Sequence, residues 1–502
     1  MSAFDAAKYL VDCRPILPEL LLYFFAFIIL AVTAILPKED RRLIAWLSLV
    51  GTVLVIPSVF NNARVLDGVA AAPVFSGDVA VDPLSFFFKL IFLIGAVLTI
   101  MISINYMDIE RMQSGEYYAL IMIATASMMF MATALSLLMI FISLETMALS
   151  IYVLVGYLKE NRKSNEAALK YFILGGFSTA MFVYGSSLVY GSTGSIQLAK
   201  IATVAVPGAP GIELTILGLI LITVALGFKV AAVPFHMYIP DAYEGAPTAV
   251  TAFISTASKA AAFIVGLRVL MSGFPALYQY WAPLIALLAA ASMTLGNITA
   301  ILQDNIKRML AYSSIAHAGY TLVGVLVAGM PGETGDFGVK AVAIYLLVYT
   351  FMNIGAFAMV IMMRRANLVG DLIVDFSGLA KRAPMAAFVM LLFLLSLAGI
   401  PPLAGFMGKW YLFGAAIKGH YAWLAVLMVI NSAISLYYYF RVVVCMYLRE
   451  PLTDEPYATS PALTAALAIA AAATLLIGLM PERILKLATF SYSMAMAASS
   501  SG

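Results

Sequence analysis

Residues 227–247 read GFKVAAVPFHMYIPDAYEGAP. This stretch continues a long apolar run, yet it places Lys229, Pro234 and His236 within eight residues. Proline removes a backbone donor and breaks a helix. In a hydrocarbon environment the freed carbonyl groups need partners from protein or trapped water. The stretch therefore predicts a membrane helix that is broken where it lines a polar cavity.

The composition of the whole chain supports a membrane protein. Of its 502 residues, 63% are hydrophobic and 11% are charged, whereas soluble domains are about 45–50% apolar and about 25% charged. A net charge of +3 gives no reason to expect a nucleic-acid partner. Cys13 and Cys445 lie at opposite ends of the chain without metal-type spacing, and no phosphate loop or dinucleotide fingerprint is present.

The apolar runs predict an all-α polytopic protein with fourteen membrane helices in one domain, residues 1–502. The first run, PILPELLLYFFAFIILAVTAILP, is too long for a signal-peptide core and is interpreted as the first span. The predicted helices are 16–36, 42–60, 83–106, 116–135, 138–158, 166–190, 213–238, 246–271, 279–301, 307–328, 340–362, 384–415, 421–446 and 462–480.

Lysine and arginine concentrate in alternate loops, for example at Arg162-Lys163, Lys307-Arg308 and Lys381-Arg382. Short loops on the cytoplasmic side of a membrane carry an excess of these residues. These loops are therefore predicted to face inside. Because the number of predicted spans is even, both termini are predicted to face outside.

Several charges fall within predicted spans, where a charge costs about 2.5–3.5 kcal/mol at the bilayer centre on insertion scales. Three of them, Lys89, Lys170 and Arg268, are close enough to a span end to reach the interface with their long side chains. The full set is Lys89, Glu145, Lys170, Lys229, Lys259, Arg268 and Lys409.

Glu145 and Lys259 are the deepest of these charges. Glu145 is about eight residues, or about 12 Å, from the nearer end of its span at 1.5 Å per residue. A buried structural ion pair is one interpretation for Glu145, Lys229 and Lys259. A proton path is the favoured one, because intramembrane charges commonly mark ion or proton routes.

A second break is predicted in SLAGIPPLAGFMGKWY, residues 396–411, where Pro401-Pro402 precedes Lys409. A packing kink could explain one broken helix, but two breaks with an in-span lysine favour polar cavities. The breaks lie in the seventh and twelfth spans, five spans apart, which predicts two inverted repeats. Their bounds are 116–271 and 279–446, flanked by N-terminal helices in 1–115 and a C-terminal helix in 447–502.

Two histidines lie near these features. His236 follows the first break, where it is either satisfied by the backbone or acts as a proton relay. His317 lies in AYSSIAHAGY, whose hydroxyl groups either carry a water chain or hold helices together.

Long stretches of the chain resemble the antiporter-like membrane subunits of respiratory complex I. They are VDPLSFFFKL, ETMALSIYVLVGY, ALGFKVAAVPFHMYIPDAYEGAPTAVTAFISTASK, NIKRMLAYSSIAHAGY and SLAGIPPLAGFMGKWYL. The resemblance covers roughly residues 80–480. Among the paralogues of that family, the DAYEGAP form and the lysine in GFMGKWY look like the N type.

This resemblance implies a subunit of a proton-translocating NADH:quinone oxidoreductase, in which quinone reduction elsewhere drives proton pumping. By the family pattern Glu145 and Lys229 form the first-half pair, Lys259 is the central relay and Lys409 is the second-half lysine. His236 and His317 are further relay candidates.

The resemblance also implies surroundings and partners. No cofactor or metal is expected on this chain, because NADH, FMN, iron–sulfur clusters and quinone belong to other subunits. The expected neighbours are the M-type paralogue and the small K-type subunit, in the bacterial cytoplasmic membrane with both termini periplasmic. A cation/proton antiporter subunit without quinone chemistry, or a passive scaffold, are the alternatives.

Overall fold

The computed structural model is built almost entirely from helices. It describes residues 13–37, 42–65, 74–110, 112, 114–364, 370–452, 457 and 459–482. Within these residues the backbone contains isolated β-bridges and no extended strand. The main helices are α1 (Leu17–Ile35), α2 (Arg42–Val65), α3 (Pro83–Ile109), α4 (Gly115–Thr133), α5 (Leu137–Val155), α6 (Arg162–Thr193), α7 (Ile212–Val230), α8 (Ile239–Gly245), α9 (Thr248–Gly273), α10 (Tyr278–Ile301), α11 (Ile306–Ala328), α12 (Gly332–Met363), α13 (Pro384–Ala398), α14 (Ala404–Lys418), α15 (Ala422–Leu448) and α16 (Pro461–Leu479).

The predicted all-α polytopic membrane fold is confirmed. In the described part of the chain, 13 helices are long and apolar enough to cross a membrane. The predicted twelfth span, 384–415, is present as the two shorter helices α13 and α14. The predicted seventh span, 213–238, ends as a helix at Val230 and resumes only at α8. Both predicted breaks are therefore real interruptions of helix rather than bends.

The break after α7 is built from a specific helix-ending motif. Ala231 adopts a left-handed conformation with φ of 63°. Its N–H donates to Phe228 O at 2.9 Å, and the next N–H, that of Ala232, donates to Gly227 O at 2.8 Å. This pair of bonds is a Schellman motif, which satisfies the last carbonyls of a helix. Alanine in the left-handed region costs about 1 kcal/mol, since glycine is the residue that adopts it freely.

The break after α13 repeats the same motif. Gly399 has φ of 88°, and its N–H donates to Ser396 O at 3.0 Å. The N–H of Ile400 donates to Leu395 O, also at 3.0 Å. The Ser396 hydroxyl accepts a bond of 3.0 Å from the N–H of Gly405 at the start of α14. The two half-helices are thus tied together across the break.

The helix α9 departs from the uninterrupted span predicted at 246–271. It contains two π-helical turns, Ile254–Ser258 and Val269–Gly273. The first ends one residue before Lys259, and such turns are frequent at functional sites. Within this turn Ser255 accepts a hydrogen bond of 2.6 Å from the Asn353 side chain on α12. Nothing in the local sequence distinguishes this turn from α-helix.

The centre of the molecule is formed by α9, α11 and α12, whose spans are buried along almost their whole length. The sequences of α9 and α11 are rich in Ala, Ser, Thr and Gly. Small residues allow helix backbones to approach closely in membranes, where dispersion and hydrogen bonds drive association. Functional side chains on these helices are therefore enclosed by protein.

One end of the bundle, named here the basic end, gathers ion pairs from the loops in which arginine and lysine concentrate. These loops are brought together because neighbouring helices alternate in direction. The pairs are Arg42–Asp108, Lys163–Glu244, Arg308–Asp241, Arg308–Glu244, Arg364–Glu110, Lys381–Glu450 and Arg441–Asp304. The predicted periplasmic termini, residues 1–12 and 483–502, lie outside the described residues.

Candidate functional site

Lys229 lies in the last turn of α7, two residues before the left-handed Ala231. The residue is 6% exposed, and its Nζ has no hydrogen-bond partner among the described residues. The ammonium lies 5.9 Å from the centre of the Tyr152 ring. A buried ammonium without a direct hydrogen bond is costly. Its protonated form therefore depends on groups beyond direct contact.

Glu145 lies on α5, half-buried, and accepts a hydrogen bond of 2.5 Å from the Thr179 hydroxyl on α6. It acts electrostatically on Lys229, but these two described residues form no ion pair within 4.0 Å. Tyr152, two turns after Glu145 on α5, contacts Lys229 with its ring. A Cβ at Gly175 would lie 1.9 Å from the Tyr152 hydroxyl oxygen, so glycine makes room for this tyrosine.

Lys259 is 3% exposed and lies immediately after the first π turn of α9. Its Nζ donates to Ser314 O at 2.8 Å and to the Ser314 hydroxyl at 2.5 Å. Tyr243 and Tyr349 also approach Ser314, and their hydroxyls have no hydrogen-bond partner within the described chain. Buried polar groups without a protein partner commonly bind water. Lys259 therefore lies in a buried polar pocket formed by Ser314 and these two tyrosines.

His317, on α11, lies at the centre of a second cluster of hydrogen-bonded side chains. Its Nδ1 bonds to the Tyr345 hydroxyl on α12, and its Nε2 lies 3.2 Å from the Tyr439 hydroxyl on α15. Tyr439 also bonds to the Ser313 hydroxyl at 2.5 Å. Because Ser313 precedes Ser314, the cluster around His317 begins one residue from the group that binds Lys259.

A chain of side chains continues from this cluster towards Lys409. The rings of Tyr438 and Tyr439 lie 4.4 Å apart, and the Tyr438 hydroxyl donates to Asn297 Oδ1 at 2.9 Å. Asn297 Nδ2 in turn donates to the Tyr320 hydroxyl at 3.0 Å. The Lys409 ammonium lies 5.2 Å from the centre of the Tyr320 ring. The described residues thus connect the surroundings of Lys259 with those of Lys409.

Lys409 lies on α14, and its side chain extends to the break that follows α13. Its Nζ donates to Ala398 O, the last residue of α13, at 2.8 Å and to the Ser432 hydroxyl at 2.9 Å. A Cβ at Gly399 would lie 2.8 Å from Lys409 Cδ, so glycine leaves space for the lysine stem. A cavity of about 250 Å³ opens beside Lys409 and Tyr320. The lysine therefore has access to a space that can hold water.

His236 is not part of this arrangement. It is half-buried in the segment between α7 and α8, beside the exposed Pro234 and Met237. Among the described residues no hydrogen bond joins its ring to Lys229 or Lys259, and its Nδ1 has no partner there. The histidine that the structure brings to the buried lysines is His317.

Two of the charges expected to reach the interface do not, and that prediction was wrong. Lys89 is 3% exposed, and its Nζ lies 2.6 Å from Glu19 Oε1 on α1. Arg268 forms a bidentate pair with Asp82, at 2.5 and 2.6 Å, and also donates to Ala132 O. Each cation is instead paired with a buried carboxylate. A bidentate arginine–carboxylate pair is among the strongest hydrogen-bonded arrangements.

The buried carboxyl of Asp82 and the exposed cation Lys170 differ in their surroundings. Burial raises the pKa of the Asp82 carboxyl, but Arg268 and the bonds from Ser85 outweigh this and leave the pKa below its ordinary value. Lys170 has a side chain 43% exposed and pairs with Glu166 at 2.8 Å and Asp241 at 2.7 Å. It reaches the surface at the basic end, as predicted.

The sequence analysis included Tyr320 in the hydroxyl-rich stretch around His317, but it missed the other tyrosines and the asparagine of this site, namely Tyr345, Tyr349, Tyr438, Tyr439 and Asn297. A weak signal existed, because hydroxyl-bearing residues cluster inside apolar spans at YLLVYT, residues 345–350, and YYYF, residues 437–440. In the described part of the chain, no group of three or more His, Cys, Asp or Glu is placed to hold a metal.

The sequence of this chain is similar to those of known membrane proteins. The family described as "NADH:quinone oxidoreductase/Mrp antiporter, TM" matches residues 134–435. The NADH-quinone oxidoreductase subunit N of Trichlorobacter lovleyi is 44% identical over 95% of this chain and 96% of that protein. A subunit N of Rhizobium meliloti is 45% identical over 94% of this chain and 96% of the relative.

Two solved structures share the fold of this chain. A chain of respiratory complex I from Thermus thermophilus is 33% identical, with a TM-score of 0.77 over 94% of this chain and 99% of that chain. A chain of an archaeal membrane-bound sulfane sulfur reductase shares the fold at 23% identity, with a TM-score of 0.85 over 98% of both chains. The chain belongs to the family of NADH:quinone oxidoreductase and Mrp antiporter membrane subunits and, within it, to the N subunits of NADH-quinone oxidoreductase.

Proposed function

We propose that this chain is a proton-translocating membrane subunit of NADH:quinone oxidoreductase, in which quinone reduction on other subunits drives the movement of protons. The observation that carries the proposal is the row of buried lysines, Lys229, Lys259 and Lys409. Hydroxyl, amide and imidazole groups connect the last two. Glu145 would precede Lys229 on the proton path.

The connecting groups suit proton transfer. A hydroxyl group donates one hydrogen bond and accepts others, so Ser313, Tyr439 and Tyr438 can each receive a proton on one side and release it on the other. Neutral imidazole has one donor and one acceptor nitrogen, and this allows His317 the same exchange. Water at the unpartnered hydroxyls of Tyr243 and Tyr349 would complete the path near Lys259.

A moderate change in the proton affinity of one lysine would supply the energy needed to move a proton across the membrane. Moving one charge against 100 mV costs about 2.3 kcal/mol. A tenfold change in proton affinity is worth 1.36 kcal/mol, so a change of about a hundredfold in the affinity of one lysine suffices. A shift in the position or protonation of Glu145 relative to Lys229 would produce such a change, because no direct contact fixes their separation.

The surroundings follow from the same proposal. NADH, FMN, iron–sulfur clusters and quinone would bind other subunits, and an M-type paralogue and a small K-type subunit would flank this chain. The basic end would face the bacterial cytoplasm and both termini the periplasm. The matching Schellman motifs at Ala231 and Gly399 support two inverted repeats, because each repeat would place its break after the same helix.

A cation/proton antiporter subunit without quinone chemistry is the second candidate. A chain of the Mrp complex from Dietzia shares the fold at 20% identity, with a TM-score of 0.79 over 96% of this chain and 99% of that chain. A likeness of that degree concerns fold alone. The relatives above 40% identity favour the oxidoreductase.

The test is purification of the intact complex followed by vesicle assays. The chain is expected to co-purify with flavin- and cluster-bearing subunits and NADH:quinone activity. Lys259→Met should abolish proton uptake coupled to NADH oxidation without loss of assembly. Lys200→Met, at an exposed position, is the matched control. Full coupling in Lys259→Met, or purification without redox subunits, would contradict the proposal.

A further inference from the structure

No hydrogen bond joins Lys229 to Lys259 in the described part of the chain. Polar atoms lie on both sides of this gap. On the α7 side, the Nζ of Lys229 and the hydroxyl of Tyr152 are buried and have no hydrogen-bond partner among the described residues. On the α9 side, the buried Tyr243 hydroxyl approaches Ser314, which binds the Lys259 ammonium. A polar group between the two sides would connect the lysines.

Tyr171, on α6, lies between these two sides. The residue is 3% exposed, and its ring packs edge-on against the Tyr152 ring, with the ring centres 4.9 Å apart. Its hydroxyl approaches Ser258, the residue before Lys259 on α9. Tyr171 also interacts electrostatically with Tyr243. One buried hydroxyl is thus near the polar atoms on both sides of the gap.

The Tyr171 ring is held by an aromatic stack. It stacks on the Tyr238 ring, with the ring centres 4.8 Å apart and the planes 7° from parallel. Tyr238 stacks in turn on Phe228 at 4.3 Å, and its hydroxyl donates to Phe228 O at 3.0 Å. The stack therefore ties Tyr171 to the end of α7, while the Tyr238 hydroxyl is committed to the backbone.

The space directly between α7 and α9 is unsuited to proton transfer. A cavity of about 30 Å³ there is lined mainly by apolar side chains, such as Leu226, Phe263 and Leu288. The Thr223 hydroxyl in its wall donates to Leu219 O of its own helix at 2.8 Å. Apolar cavities of this kind stay dry. The polar route between the two lysines therefore runs past α6.

We propose that Tyr171 transfers protons between Lys229 and Lys259, with water at the hydroxyls of Tyr152 and Tyr243. This role rests on the proposed function, because it assigns a route within the same proton path. One N–H bond breaks on Lys229 and one N–H bond forms on Lys259. Each hydroxyl and each water between them gains one proton and releases another. Only the two lysines therefore end the step in a different protonation state.

The experiment uses the intact complex in vesicles and compares two variants that each remove one hydroxyl from the same aromatic stack. Tyr171→Phe keeps the ring and its packing. We expect proton-coupled NADH oxidation to fall about a hundredfold, because a positioned proton-transfer group commonly contributes a factor of about 10²–10⁴. The solvent deuterium isotope effect on turnover should rise, because the impaired proton transfer then limits the rate.

Tyr238→Phe is the matched control and should pump as the wild type does. It removes a buried hydroxyl from the same stack, but Phe228 O keeps its bond of 2.9 Å from the N–H of Ala231. A purely structural role of the stack predicts similar losses in Tyr171→Phe and Tyr238→Phe. Similar losses, or wild-type turnover and proton-to-electron ratio in Tyr171→Phe, would overturn the proposal.

Two further variants keep the test decisive. If Tyr171→Phe does not assemble, Tyr152→Phe replaces it, because that change removes a hydroxyl without a hydrogen-bond partner in the described chain. Tyr152→Phe should lose most proton-coupled turnover, and wild-type turnover would count against the route. Lys259→Met separates the two proposals. If it stops pumping while Tyr171→Phe pumps normally, the role of Tyr171 is refuted and the proton path is not.

Discussion

Removal of one hydroxyl group tests the path between Lys259 and Lys409 most directly. Tyr439→Phe deletes the group that bonds to Ser313 at 2.5 Å and to His317 Nε2 at 3.2 Å. The ring and its packing against Tyr438 remain. The variant therefore changes the hydrogen-bonded chain and almost nothing else.

The structural cost of this change is bounded. Each buried polar group left without a partner costs about 1–3 kcal/mol, and a water molecule that replaced the hydroxyl would reduce that cost. His317 keeps its bond to Tyr345. We therefore expect Tyr439→Phe to assemble. The functional cost is larger, because a positioned proton-transfer group commonly contributes a factor of about 10²–10⁴.

The assay measures NADH oxidation and proton uptake in vesicles that contain the assembled complex. We expect Tyr439→Phe to lower proton-coupled turnover by about a hundredfold at this step. Tyr437→Phe, which alters a residue two positions earlier that is 63% exposed, is the matched control and should behave as wild type. A Tyr439→Phe complex with wild-type rate and wild-type proton-to-electron ratio would refute the path drawn here.

Three further outcomes are expected. Glu145→Gln and Lys229→Ala should each lower proton-coupled NADH:quinone activity strongly while native gels show normal assembly; unassembled complexes would instead indicate a structural role. Lys409→Glu should retain some pumping and Lys409→Met should not, as read from the proton-to-electron ratio, because only the former can carry a proton. Lys89→Leu should destabilise the protein by about 3–5 kcal/mol by leaving Glu19 buried and unpaired; a wild-type melting temperature would argue against this.

Sequence analysis located the breaks and the buried lysines because these signals are local. The structure interrupts the helices at Ala231 and Gly399, close to Pro234 and Pro401-Pro402. Pro57 and Pro283 instead lie inside the unbroken helices α2 and α10, so it was the in-span lysine beside each proline that marked the breaks. A lysine in the middle of a span is costly in any fold. Such features need no knowledge of neighbouring helices.

The connecting groups could not be located in the same way. Tyr345, Asn297 and Tyr439 come from three different helices and meet only because those helices surround α11. In the sequence each is one polar atom in an apolar span, which is compatible with an isolated bond to the backbone. The sequence therefore predicts the charged residues of the proposed path but not the side chains between them.

The error over Lys89 and Arg268 has the same origin. Distance to a span end is a property of one helix, and by that measure both cations can reach the interface. Their carboxylate partners, Glu19 and Asp82, belong to other elements more than 60 residues away in the chain. A lysine or arginine side chain pairs with the nearest carboxylate, and the position of that carboxylate depends on the tertiary fold.

The two breaks share a backbone motif but leave their lysines in different electrostatic states. Lys409 reaches the last carbonyl of α13, where the negative end of a helix dipole favours an ammonium. Lys229 precedes its break, has no hydrogen bond within the described chain, and relies on the more distant Glu145. A lysine held by fixed backbone groups keeps a constant proton affinity. The proton affinity of a lysine that depends on a carboxylate out of direct contact changes when that carboxylate moves. On the proposed path, an event elsewhere in the complex would therefore act at the first break, and the second break would hold the proton beside the cavity of about 250 Å³.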